Sequence, residues 1–337
     1  MRAPPPLIRR ALIAPLILGG ELLVLAASPV LAALSALLSP LLGGRRPVRV
    51  LALVLAWAGG HVISVAACWL LLATREDRGR YYAVMRWFVG VIAQTALRVA
   101  RVKVTVLDSE RAEAVLASAT PVVVLSIHSG EGDSLLVLDH LLRRHRRRPR
   151  IVMHEALAVD PLIDVLSERL PNRFVDPRGG DIEGEIAAMS LGLGPRDAVV
   201  IFPEGGNFSH ERRRKSIERL LRRGHHEQAQ QARAMKHLLA PRPGGALAAL
   251  ASAPEADVVF MAHYGFPDGF PAAWRQLPER TAIEMELWHV PASELPEGNE
   301  ERIKWLFGWW ETLDAWVGER RLRDGAGDQQ VAGGDGG

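Results

Sequence analysis

Residues 122–134 read Val122-Val123-Val124-Leu125-Ser126-Ile127-His128-Ser129-Gly130-Glu131-Gly132-Asp133-Ser134, and how this stretch folds decides the architecture. The run before His128 is short, continuous and rich in β-branched residues, the pattern of a strand buried on both faces. Two glycines then allow a tight turn before Ser134-Leu135-Leu136-Val137-Leu138 opens a helix. His128 and Asp133 therefore fall at a strand-to-helix junction, where open α/β sheets place their chemistry. A histidine oriented by a carboxylate is suited to act as a general base. Taken alone, the same residues fit a histidine that only closes a strand.

Outward from this stretch, composition sets broad limits. The chain has 337 residues, 41 basic and 38 acidic, for a formal charge of +3. Hydrophobic residues make up 48%, and the mean hydropathy is +0.06, high for a soluble protein. With Cys68 as the single cysteine, disulfides cannot hold the fold, and a reduced compartment fits.

The apolar residues concentrate near the N-terminus. Residues 11–43 are interrupted only by Glu21, Gly19-Gly20 and three prolines, and residues 50–74 carry no formal charge. A helix of about 25 residues is roughly 37 Å long, enough to cross a ~30 Å hydrocarbon core. With the basic turn Gly43 to Arg49 between them, the two segments read as a membrane hairpin. The alternatives are a signal peptide starting at Arg9-Arg10, or a first arm that is re-entrant because glycine and proline break it. The larger basic total flanks the outer ends of the hairpin, which favours a cytoplasmic main domain. Tyr81 to Val102 is amphipathic, fitted to a membrane surface or to packing on that domain.

An α/β section begins at Val102. Strands are expected at 102–107, 121–127, 151–153, 173–175, 198–202, 257–262 and 281–290, with helices between them. The run Arg143 to Arg150 reads as a solvated face or as a holder of anionic headgroups. The strand Ala198 to Phe202 ends in Pro203-Glu204-Gly205-Gly206-Asn207, which repeats the organisation around His128. Glu204 is placed there to accept hydrogen bonds from a hydroxylated ligand. A polar helical stretch follows to Leu239. Glu300 to Leu322 is an amphipathic helix whose tryptophan stripe suits core packing. Beyond Arg323 the chain is glycine-rich and polar.

His128-x-x-x-x-Asp133 together with Phe202-Pro203-Glu204-Gly205 resembles the glycerolipid acyltransferases of the 1-acylglycerol-3-phosphate acyltransferase family. Lys236 to Gly245 is similar to the K-x-x-L-x-P-R-x-x-G segment of the lysocardiolipin and lysophosphatidylinositol acyltransferase branch. The resemblance spans roughly 102–322. It implies an α/β domain with a mixed sheet flanked by helices over 81–323, and the membrane-anchoring hairpin over 1–80 agrees with the family in type, while composition makes 324–337 a disordered tail. The resemblance also implies a multi-pass membrane enzyme of phospholipid biosynthesis, acting on an acyl-CoA or acyl carrier protein donor and a lysophospholipid acceptor. No cofactor is expected. His128 and Asp133 are the implied catalytic pair, and Glu204, Gly205, Gly206, Asn207 and Arg178 the implied substrate-binding set. The family usually reads E-G-T-R where this chain has Glu204-Gly205-Gly206-Asn207, so the arginine expected to hold the acceptor's phosphate is missing. Arg178, Arg212, Arg213 and Arg214 are the candidates to replace it.

Other chemistries fit less well. No G-x-S-x-G elbow supports a serine hydrolase. His225, His226 and Glu227, or His263 and His289, lack metal-site spacing. The arginine runs lack aromatic interleaving, which speaks against nucleic acid. A catalytically silent, membrane-anchored lipid-binding protein with the acyltransferase fold is the alternative from a different class.

Overall fold

The computed structural model describes residues 3–74, 77–128, 132–176, 180–266, 274 and 282–333. At the N-terminus, helix α1 (Pro6–Ala26) is followed by α2 (Ser28–Leu38) at a bend of 62°. The expected first arm is therefore a bent helix pair. Pro29 explains the break, because its ring cannot join the helical ladder of the preceding turn. Helices α3 (Arg46–Thr74) and α4 (Arg78–Ala100) are each long and apolar enough to cross a bilayer. One face of α4 is nonetheless committed: Tyr81, Tyr82, Met85 and Val89 are buried in a core shared with Leu142, Leu162 and Val165.

The sheet has seven strands: β1 (Lys103–Leu107), β2 (Val122–Ser126), β3 (Arg148–His154), β4 (Arg173–Val175), β5 (Asp197–Ile201), β6 (Asp257–Tyr264) and β7 (Ala282–Val290). Their spatial order is β1-β7-β6-β2-β5-β3-β4. The five strands from β6 to β4 run parallel, while β7 is antiparallel to β6 and carries β1 parallel to itself. Every residue of β2 and β5 is buried, as the valine-rich runs require.

Helices cover both faces. They are α5 (Glu110–Ala117), α6 (Asp133–Asp139), α7 (Pro161–Arg169), α8 (Ile182–Ser190), α9 (His210–Arg222), α10 (His226–Ala234), α11 (Pro243–Ser252) and α12 (Asn299–Gly333). The polar stretch after Ser209 is two helices, because Gly224 takes φ +77° between them. On α12 the aromatic stripe packs inward: Trp310 is fully buried and Trp309 stacks on Phe260 at 4.4 Å. That helix continues past Leu322, its expected end. Arg320 and Arg323 bind Glu284 of β7 at 3.0 and 2.8 Å and fasten its later turns to the sheet.

The N-terminal helices are joined to the domain by charge. Arg9 and Arg10 both bind Asp164 of α7, at 2.5 and 2.8 Å, and Arg10 also binds Glu168. His61 of α3 bridges Glu21 of α1 and Asp160, the N-cap of α7.

Candidate active site

Two neighbouring parallel strands, β2 and β5, deliver the site at their C-terminal ends. His128 follows β2 by two residues, and Asp133 begins α6. Between them Gly132 adopts φ +97°, a conformation that glycine enters without a Cβ clash. The turn brings Asp133 Oδ2 to 2.7 Å from His128 Nδ1. Asp133 is buried, and its other oxygen accepts from the Ser134 backbone N–H at 2.5 Å and the Ser134 hydroxyl at 3.1 Å. The His128 ring packs against Phe202, with 4.9 Å between centroids. Its side chain is 24% exposed, and among the described residues Nε2 has no hydrogen-bond partner.

Glu204 is placed differently from the sequence expectation. It is buried, and both oxygens are occupied by backbone: Oε1 accepts from His128 N–H at 2.8 Å and Oε2 from Leu239 N–H at 2.9 Å. Neither oxygen is free for a ligand hydroxyl in this arrangement. Burial pushes the Glu204 carboxyl up to about 8, against the pull of the two N–H groups and helped by the charges of Asp133 and Asp314.

Gly205 and Gly206 both take positive φ, +69° and +148°. A Cβ on Gly205 would lie 3.1 Å from Arg242 Cζ, and one on Gly206 would overlap the Arg212 guanidinium. The glycine pair thus admits two guanidinium groups against the loop. Arg212 also donates to the Asn207 carbonyl at 3.2 Å, while the Asn207 side-chain oxygen is buried without a hydrogen-bond partner among the described residues. Of the other arginine candidates, Arg213 is spent on the Met235 and Arg233 carbonyls, both at 2.7 Å, and Arg214 pairs with Glu218 on the exposed side of α9. Arg178 lies outside the described residues, as do Ser129, Gly130 and Glu131. Partial burial and the nearby Arg212 and Arg223 hold Arg242 below its ordinary pKa; Arg219 is lowered by burial and by Arg242, Arg223 and Arg222. Arg212 and Arg242 therefore gather at the Gly205-Gly206 loop, and no carboxylate pairs with either among the described residues.

Two contributors escape a sequence reading. His263 on β6 is buried, with Nε2 3.2 Å from the Ile127 carbonyl and 3.9 Å from Asp133. Burial lowers its pKa, so it stays uncharged near neutrality and leaves the Asp133 charge to His128. Asp314 on α12 accepts backbone N–H groups from Lys236, His237 and Leu238 at 2.7–2.9 Å, and so sets the segment that carries Leu239 and Arg242. Each lies far along the chain from what it supports, and no local motif marks it.

No curated protein matches the chain. Residues 103–251, which carry His128, Asp133, Glu204 and Arg242, match the family model described as Acyltransferase, and the similarity supports acyl transfer as the general chemistry of this region.

Proposed function

We propose that the protein is a membrane-bound O-acyltransferase that moves a fatty acyl group from a thioester donor, acyl-CoA or acyl carrier protein, to a hydroxyl of a phosphate-bearing lysolipid. The observation that carries this reading is the His128–Asp133 pair at the strand ends, with an open Nε2 and two arginines at the loop that follows Glu204. The proton on Nδ1 is held by Asp133, which leaves the Nε2 lone pair to remove the acceptor's hydroxyl proton. The alkoxide oxygen attacks the thioester carbon, the C–S bond breaks, and the departing thiolate takes the proton back from the His128 imidazolium. The chemistry needs neither metal nor covalent enzyme intermediate.

Glu204 acts as a positioning residue in this scheme, fixing the His128 backbone rather than touching the acceptor. Arg212 and Arg242 take the role of the missing arginine, since guanidinium forks match phosphate geometry. The bent pair α1–α2 and the apolar helices α3 and α4 hold the domain at the bilayer that stores its acceptor, with the domain on the cytoplasmic side.

The test supplies purified protein with labelled acyl-CoA and a panel of lysolipids. The expected result is a labelled product from phosphate-bearing acceptors that His128→Ala abolishes. Equal product from His128→Ala would overturn the scheme, and absence of any product with every donor and acceptor would favour the lipid-binding alternative.

A further inference from the structure

Away from His128, a groove of about 1110 Å³ lies between α4 and the face carrying β1 and α6. Its inner wall is apolar, with Val91, Leu136 and Met285, and Trp87 stands 43% exposed at its rim. Its charged lining is almost all of one sign: Arg86, Arg98, Arg143, Arg144 and Arg146 against Asp139. Asp139 is engaged by Arg143 at 3.1 Å, and Arg144 by Glu113 at 2.7 Å. Arg86, Arg98 and Arg146 have no carboxylate partner among the described residues. His140, also in the lining, bonds Glu113 at 2.7 Å, and burial lowers its pKa, so it neither offsets nor adds charge near neutrality.

The arginines are placed by specific backbone features. A Cβ on Gly90 would lie 2.6 Å from Arg143 Cδ, so only glycine lets that side chain cross α4. A π turn at His140–Arg144 delivers Arg143 and Arg144 together, and Arg146 sits at φ +52°, unusual for a residue with a side chain.

None of His128, Asp133, Phe202 or Glu204 lines this groove, which sets it apart from the proposed acyl-transfer site. Its volume suits a ligand of headgroup size, its arginines suit phosphate, and one wall is a helix apolar enough to enter a bilayer, with a tryptophan at the edge. We infer that the groove holds the phosphate headgroup of an anionic bilayer phospholipid that is not itself acylated.

The test is native mass spectrometry of the full chain in neutral detergent, titrated with phosphatidylglycerol or phosphatidylcholine. One phosphatidylglycerol is expected per chain, held at least about 10-fold more tightly than phosphatidylcholine. The triple variant Arg98→Gln, Arg143→Gln, Arg146→Gln should weaken that binding at least 10-fold. A charge-matched triple at the exposed Arg111, Arg214 and Arg321 should weaken it less than 3-fold. Gly90→Leu, which fills the groove and removes no charge, should also weaken it. Equal loss in the charge-matched triple would reduce the effect to diffuse attraction and overturn the inference. So would binding untouched by the groove variants, or displacement of the lipid by free CoA, which would assign the groove to the donor. His128→Ala should bind lipid like the native chain, which separates this result from the acyl-transfer reading.

Discussion

Glu204 holds His128 by its backbone N–H at 2.8 Å and, with its second oxygen, holds Leu239 at 2.9 Å. A single buried carboxyl group therefore ties the end of β2 to the segment that presents Arg242, so His128 and Arg242 keep a fixed separation. This geometry gives Glu204 more to do for the shape of the site than a contact with substrate would.

Glu204→Gln should expose that role. Below about pH 8 the carboxyl is neutral and its hydroxyl oxygen can still accept from a backbone N–H, whereas an amide turns an NH2 donor toward it, so one of the two N–H groups loses its acceptor, at a cost of about 1–3 kcal/mol. The loss should depend on pH. The Glu204 carboxyl is raised to about 8 in the folded chain, so its favourable share of stability is complete below the unfolded value near 4.5 and is lost as pH rises through 8. Melting curves at pH 5 and pH 9 should show the gap between native and variant proteins shrinking at the higher pH. A gap that widens would contradict the assignment.

Removing the proposed base should be more selective. His128→Ala is expected to lower acyl-transfer kcat by about 10²–10⁴-fold with little change in melting temperature, because the ring is partly exposed and packs mainly on Phe202. Asp133→Asn should lower kcat by a similar order, since an amide favours the wrong tautomer of His128.

The arginine pair predicts a change in binding. Arg212→Gln and Arg242→Gln should each raise KM for a phosphate-bearing acceptor by about 10-fold or more, given roughly 1.5–3 kcal/mol for a charge-assisted hydrogen bond, and leave kcat nearly unchanged. Gly206→Ala should reproduce the Arg212 effect, because the new methyl group occupies the guanidinium's place. A drop in kcat without a KM change would show that these groups serve the reaction and not the headgroup.

Arg147 offers a test of stability alone. It is buried and donates to the carbonyls of Leu116, Thr120 and Val115, closing the end of α5; burial lowers its pKa to about 10. Arg147→Met should cost about 2–4 kcal/mol in denaturant unfolding, because the carbonyls it binds, that of Pro195 included, lose a charged donor, while KM for the acceptor stays the same.

Arg147 also marks where sequence stops being legible. In Arg143 to Arg150 every arginine looks alike, yet Arg147 is buried on carbonyls, Arg150 caps α8 and pairs with Asp197 at 2.5 Å, and Arg146 faces a groove. Their fates depend on which carbonyl ends lie across the fold, which spacing along the chain cannot reveal. The strands were legible for the opposite reason: β2 and β5 are buried on both faces, so a continuous valine-rich run fills each of them. His128 and Asp133 were legible because the turn joining them is local. The occupation of Glu204 by two backbone groups was not, since one of those groups belongs to Leu239, 35 residues later. The break of the first apolar arm was visible in Pro29, but its 62° angle was not.

The bonds from Arg9 and Arg10 to Asp164 constrain the order in which the molecule can be completed. Arg9 and its partner are 155 positions apart, so the head of α1 has no seat when it leaves the ribosome. At about 5–20 residues per second, that seat emerges roughly 10–30 s later. Throughout that interval the Asp164 contact cannot form, and the head of α1 takes its place against the domain only once α7 has been made.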